Sequence, residues 1–212
     1  MNESRSAFFE QSIILNGEFS PADLKLESLI DAGVVQKEKI LTGSVFNADQ
    51  VSIVAEDLNV ALIASQLLVV LKPGDEQPSL LSLILHLIKK ASTSTDMVLN
   101  FAAYVFLEGS LEHDSKKLFY KSDNKFQEKY FGSSESVFGF NGSTYVKYSR
   151  LNLDVKPIQL VHGVTGEKRN AVTVAANFFV DAKLPPLAIA NMIQEDYSFF
   201  VKYFKNILED IL

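Results

Sequence analysis

The sequence contains no cysteine, no tryptophan and only three histidines among its 212 residues. Without cysteine there is no disulfide framework, no thiolate nucleophile and no cysteine-bearing zinc site. The same absence is typical of proteins that fold in a reducing compartment. We therefore expect a cytoplasmic protein whose stability comes from a buried core.

Long hydrophobic runs are also missing. The longest apolar stretch, residues 60–71, is interrupted by Ser65 and Gln66, and it is shorter than the roughly 20 residues that a membrane-spanning helix needs. The N-terminal residues mix charges with short apolar clusters, which is not the pattern of a signal peptide. Yet 47% of the residues are hydrophobic, which excludes intrinsic disorder. We expect one globular domain over residues 1–212, with no membrane segment.

Motifs with a known chemical mechanism are missing as well. The sequence has no Gly-x-Ser-x-Gly elbow and no His-Glu-x-x-His array, and the glycines of residues 163–169 precede a predicted strand instead of a helix. His86 falls in a predicted apolar helix, while His113 and His162 fall in predicted loops. The sequence therefore predicts no enzymatic activity, no catalytic residue, no metal site and no cofactor.

Positive charge is in the minority, with 20 lysines and arginines against 26 acidic residues and a net charge of −6. This balance disfavours nonspecific binding to nucleic acids and to anionic membranes. A local exception is a basic stripe of lysines at four-residue spacing, which a helix would place on one face. Its members are Lys117, Lys121, Lys125 and Lys129. Interleaved aromatic residues make nucleic acid or an acidic protein an alternative to a solvated face, but we expect that nucleic acid does not bind.

Turn and cap residues divide the first half of the chain into strands and helices. The predicted elements are strands over residues 8–15, within residues 40–70 and over residues 97–107, and helices from Ser20 to Gly33 and over residues 79–90. Residues 58–63 are apolar at both alternating sets of positions. This pattern favours a central strand that is covered on both faces.

The second half holds an amphipathic hairpin and a long helix. Residues 151–156 and 172–180 alternate in polarity, which predicts two antiparallel strands with one solvated face. In this register Phe178 points toward the helix and Asp154 faces solvent. Pro185-Pro186 begins a helix that continues to the C-terminus. The sequence therefore predicts an α+β fold, a mainly antiparallel sheet with a long C-terminal helix packed on it.

A weak internal similarity connects the two halves. The patterns Leu58-Asn59-Val60 and Leu151-Asn152-Leu153 match at an offset that also aligns Gln66 with Gln159. The match favours two duplicated strand-strand-strand-helix units, residues 1–109 and 132–212, joined by a polar connector at residues 110–131. The alternative is a chance resemblance between amphipathic strands.

The C-terminal helix carries more apolar surface than one sheet face needs. We expect the excess to form a partner interface at Ile189, Met192, Ile193, Tyr197, Phe200, Val201, Phe204 and Leu208. The sequence thus predicts a non-catalytic interaction or assembly protein, which self-associates through this helix as a homo-oligomer or binds another protein. The alternative is a helix-grip protein that binds a small apolar ligand, and the 16 phenylalanines would serve either function.

Overall fold

The computed structural model describes residues 7–72, 80–108, 124–125, 129, 139–161, 163 and 165–211. These residues form a nine-stranded antiparallel sheet with two long helices on one face. The strands are β1 (Ala7–Asn16), β2 (Val45–Phe46), β3 (Gln50–Val54), β4 (Leu58–Ile63), β5 (Gln66–Leu71), β6 (Val98–Glu108), β7 (Phe140–Val146), β8 (Ser149–Val161) and β9 (Lys168–Val180). The helices are α1 (Leu26–Asp31), α2 (Leu80–Ala91) and α3 (Pro186–Ile211). The predicted α+β fold with a long C-terminal helix is confirmed.

The order of the strands is β2-β3-β4-β5-β1-β6-β9-β8-β7. It is nearly symmetric about the central β1–β6 pair. β3–β5 on one side and β7–β9 on the other are three-strand meanders whose last strand lies next to the centre, and the two-residue β2 adds a fourth strand on the β1 side. α2 follows one meander and α3 follows the other. The internal similarity coincides with equivalent strands at β4 and β8, but Gln66 and Gln159 fall on the non-equivalent strands β5 and β8. A common origin of the two halves therefore stays a prediction.

One face of the sheet and the two long helices enclose the core. Ile13 of β1 lies between Val69 of β5 and Phe101 of β6, and all three are at most 3% exposed. Leu83 of α2 and Phe200 of α3 belong to the same buried cluster. Alternate residues of each strand point to the opposite face, which carries neither long helix.

The predicted register of the β8–β9 hairpin is confirmed. Val155 pairs with Val174, and both are buried on the helix-covered face. Asp154 lies between the inward positions, so its side chain is on the other face. α3 begins at Pro186, as expected for a residue whose missing N–H is harmless in a first helical turn.

Two local predictions are wrong, and one strand is missed. The helix expected from Ser20 begins at Leu26, because Pro21–Asp23 forms a 3₁₀ turn and Ser20 makes no side-chain capping bond. β4 is covered on one face only, and Ala61 and Ile63 are exposed on the other. β7 is a strand that the sequence pattern does not predict.

Candidate interaction surface

The sheet face opposite the two long helices, which we call the outer face, is formed by alternate residues of the strands. Its central row crosses the sheet from β3 to β7 as Val54, Asn59, Val70, Ser12, Ala102, Asn177, Asn152 and Ser143. No side chain of this row is charged, and most of them are amides or hydroxyls. Such a row can approach another protein without the large cost of desolvating an ion.

Three asparagines of the outer face have side-chain oxygens that are buried and without a hydrogen-bond partner in the described part of the chain. They are Asn59, Asn100 and Asn177. Asn100 is 7% exposed and lies in register with Ile14 and Phe179. An unsatisfied buried acceptor costs about 1–3 kcal/mol. These three side-chain oxygens therefore take part neither in the apolar core nor in the hydrogen bonds between strands.

The β7–β8 hairpin carries three exposed aromatic side chains. Phe140, Tyr145 and Tyr148 are 41%, 70% and 40% exposed. The Phe140 ring lies over Gly142, where an added Cβ would meet the ring at 2.5 Å, so a larger residue here would displace this exposed ring. Because exposed aromatic side chains are enriched in protein interfaces, the hairpin is a candidate contact surface.

The turn of this hairpin is bonded to α3. Lys147 has a φ of 53°, and its Nζ lies 2.5 Å from Asp196 Oδ1 and 4.0 Å from the centre of the Phe199 ring. The Tyr148 hydroxyl donates a hydrogen bond to Asp196 Oδ2. Burial raises the pKa of the Asp196 carboxyl, but the hydrogen bonds from Lys147 and Tyr148 outweigh it and hold the pKa below its usual value. These contacts fix the hairpin relative to the helix.

β7 is the last strand of the sheet, and its outer edge pairs with no other strand among the described ranges. Val146 and Ser149 flank a two-residue turn and form a hydrogen-bonded pair. Such pairs alternate along an antiparallel ladder, so the outward N–H and C=O groups belong to Asn141, Ser143 and Tyr145. β7 contains no charge and no proline, and its register with β8 has no bulge. Within the described ranges, β7 has none of the features that usually protect an edge strand.

The opposite edge of the sheet is protected. β2 has only two residues, and the chain before it bonds to β3. The Leu41 N–H donates to the Val54 carbonyl oxygen at 2.8 Å, and the Val54 N–H donates to Ser44 Oγ at 3.1 Å. Ile40 forms a bridge with Ala55. Short edge strands and covered edges both prevent pairing with another chain. Of the two ends of the described sheet, the β7 edge is therefore the one that can pair with a further strand.

The structure places half of the predicted helix interface inside the protein's own core. Four of its eight residues are at most 2% exposed, namely Ile189, Ile193, Phe200 and Phe204. The other four are half-buried, namely Met192, Tyr197, Val201 and Leu208. Phe200 lies between Phe101 and Phe178, with both ring centroids 4.8 Å away. The part of the predicted interface that α3 can offer to a partner is therefore on its flanks.

A small cavity lies beside the Phe200 ring, between α3 and the sheet. Gln11 and Tyr197 line it, and its volume is about 10 Å³, which is room for about one water molecule. The Tyr197 hydroxyl donates a hydrogen bond to Gln11 Oε1, and burial raises the pKa of this tyrosine. An apolar ligand would need more space than this cavity provides.

The histidines are not assembled into a site within the described ranges. His86 is half-buried on α2, and its Nε2 atom is buried with no partner in that part of the chain. Burial and the charges of Lys90 and Lys89 lower the pKa of His86. His113 and His162 lie outside the described residues. Among the residues that are described, no group of three His, Asp or Glu side chains could hold a metal ion.

Only half of the predicted basic stripe falls within the described residues. Lys125 and Lys129 are helical and exposed. Lys117 and Lys121 lie outside the described residues, as does most of the predicted connector. None of the described helices is long and apolar enough to cross a membrane.

Fold and surface together define an α+β protein in which, among the described residues, one end of the sheet is covered and the other is not. No protein-family model matches the chain, and no curated protein and no solved structure matches it either. Its function is therefore inferred from its own surfaces.

Proposed function

We propose that this protein is a non-catalytic interaction protein that self-associates. The observation that carries the proposal is the β7–β8 hairpin, which combines exposed aromatic side chains with an uncharged strand edge that pairs with no other described strand. Aromatic groups supply large contact areas with few rotatable bonds, and strand edges supply directional hydrogen bonds. The central row of the outer face, which ends at Ser143 in β7, adds an uncharged surface beside this edge.

The absence of charged residues in β7 supports a second copy of the chain as the partner. The protein has a net charge of −6, so two copies repel each other at long range. A two-fold symmetric contact brings identical patches together, which places like charges near one another wherever the patch is charged. β7 carries no charge at all. It is thus a surface on which two copies can meet without local repulsion.

The proposal gives α3 a supporting function in the contact. Its central apolar stripe is used by the core, while Asp196 binds the turn of the β7–β8 hairpin. The half-buried flank residues Val201 and Leu208 keep a smaller apolar surface. A helix-centred interface, as the sequence predicts, would have to use this surface.

Binding of a small apolar ligand between α3 and the sheet is the alternative function. The aromatic side chains Phe101, Phe178 and Phe200 would supply the contacts. The cavity of about 10 Å³ beside them would have to enlarge many-fold, because ligand pockets measure roughly 300–1,000 Å³.

Sedimentation equilibrium of the purified chain, from about 5 to 200 µM, tests the proposed function in the range expected for a small interface. We expect a reversible monomer–dimer equilibrium and no bound small molecule in mass spectra of the native protein. A monomer at every concentration would refute self-association. A monomer that carries an apolar molecule would favour the alternative.

A further inference from the structure

We propose that β7 is the docking strand for the β7 of a second copy, paired antiparallel about a two-fold axis at Ser143. This inference rests on the proposed self-association and names the surface that performs it. Ser143 is the middle residue of β7 and the middle one of the three residues whose backbone groups point outward. The pairing would extend each nine-stranded sheet into one continuous sheet.

Backbone geometry determines the register of this pairing. Asn141 lies opposite the partner's Tyr145, and Ser143 lies opposite the partner's Ser143. By symmetry the three outward residues of each strand form three hydrogen-bonded pairs, each of which exchanges two N–H···O bonds. No ladder bond between β7 and β8 is lost, because the inward groups of β7 already serve that ladder. The contact therefore uses only groups that the described fold leaves on the open edge.

Charges on β8 are compatible with the same register. Arg150 shares a row with Tyr145, and Asp154 shares a row with Asn141. Pairing at Ser143 continues the Arg150 row of one copy into the Asp154 row of the other. Arg150 of one copy and Asp154 of the other would lie three strand spacings apart, or about 14 Å at about 4.8 Å per spacing. This distance exceeds the Debye length of about 8 Å at physiological salt. Asp154 is also paired with Lys156, so these charges add little affinity, and the register rests on the backbone groups.

The size of the contact predicts a weak dimer. One pair of seven-residue strands, with the neighbouring aromatic side chains, is at the low end of specific interfaces, which bury about 1,200 Å² or less when they are transient. We expect micromolar affinity, so the monomer and the dimer should both be detected in the same sample.

Placing charges of either sign at Ser143, the residue on the proposed two-fold axis, tests this inference. Ser143 is exposed, so Ser143→Lys and Ser143→Glu are expected to fold, which circular dichroism and thermal melts would check. Each variant alone places two like charges opposite one another, whereas an equimolar mixture places Lys opposite Glu. We expect the mixture to dimerise about tenfold more tightly than either variant alone, because cross-strand pairs depend on the sign of the charges.

Val201→Lys combined with Leu208→Lys is the matched test of the helix flank. If β7 forms the contact, this double variant retains the wild-type dissociation constant. A wild-type dimer that both Ser143 variants leave unchanged, or that the helix variant abolishes, would overturn the β7 inference while self-association stands. A wild-type protein that stays monomeric would overturn both. Dimers of all variants with no gain on mixing would also contradict a two-fold axis at Ser143.

Discussion

Truncation of Phe178 tests whether the space under α3 is a filled core or a ligand pocket. Phe178 is 1% exposed, and its ring lies 4.8 Å from that of Phe200 and 6.0 Å from that of Tyr203, measured between centroids. Removing a buried phenylalanine ring costs about 3–5 kcal/mol, of which each aromatic pair accounts for about 0.5–1.5 kcal/mol. We expect Phe178→Ala to lower the free energy of unfolding by about 3–5 kcal/mol, measured by urea denaturation with circular dichroism.

Phe179→Ala is the matched control, because the neighbouring ring lies on the outer face. Phe179 is half-buried, and the Arg150 guanidinium carbon lies 5.7 Å from its ring centre. Half of the burial energy of a phenylalanine is about 1–1.5 kcal/mol, and we expect a loss of that size. Equal losses for the two variants would refute the assignment of the two faces. A loss below about 1.5 kcal/mol for Phe178→Ala would refute the filled core and favour a pocket.

Three further substitutions test the hairpin turn, a buried hydrogen bond and a helix end. The pKa of Asp196 is lowered in the folded protein, so the stability that its bond to Lys147 supplies is complete above the unfolded pKa of about 4 and is lost at lower pH. Asp196→Asn should therefore destabilise at neutral pH, and in acid melts its difference from wild type should shrink steadily as the pH falls below about 4. Tyr197→Phe leaves the 8% exposed Gln11 without its donor and should cost about 1–3 kcal/mol by urea denaturation, whereas no loss would mean that the bond is not formed. Gly33 has a φ of +66° after α1 and open space around its α-carbon, so Gly33→Ala should cost about 1 kcal/mol of backbone strain, and a stabilised variant would contradict this conformation.

The fold could be predicted where side-chain polarity repeats with a clear period. The β8–β9 register followed from alternation alone, because a slip of one residue would bury Asp154 and expose Phe178. The start of α3 followed from its proline pair. Residues 58–63 misled because Ala61 and Ile63 are apolar and yet exposed. The residue types of a strand do not show which of its faces is covered. The covered face is the one on which the two long helices pack.

The candidate contact surface could not be predicted, because β7 has almost no sequence signal. Its inward positions include Gly142, which has no side chain and lies against the Phe140 ring, and its outward positions are polar. The turn that joins β7 to β8 also lacks a glycine and places Lys147 at positive φ instead. The available signal was the uncharged stretch of residues 140–146, which ends in the strand-favouring residues Thr144, Tyr145 and Val146. The predicted interface on α3 stays a prediction, and the width of an apolar helix face did not show how much of it the core uses.

Hydrogen exchange of the β7 amides at two protein concentrations tests the central claim most directly. The N–H groups of Gly142 and Thr144 point toward β8, whereas those of Asn141, Ser143 and Tyr145 point outward. Below the dissociation constant, the account predicts protected inward amides and fast-exchanging outward ones. Well above it, the three outward amides should become protected together while the inward amides change little. Outward amides that exchange at the same fast rate at both concentrations, in a sample that sedimentation shows to be dimeric, would contradict the account.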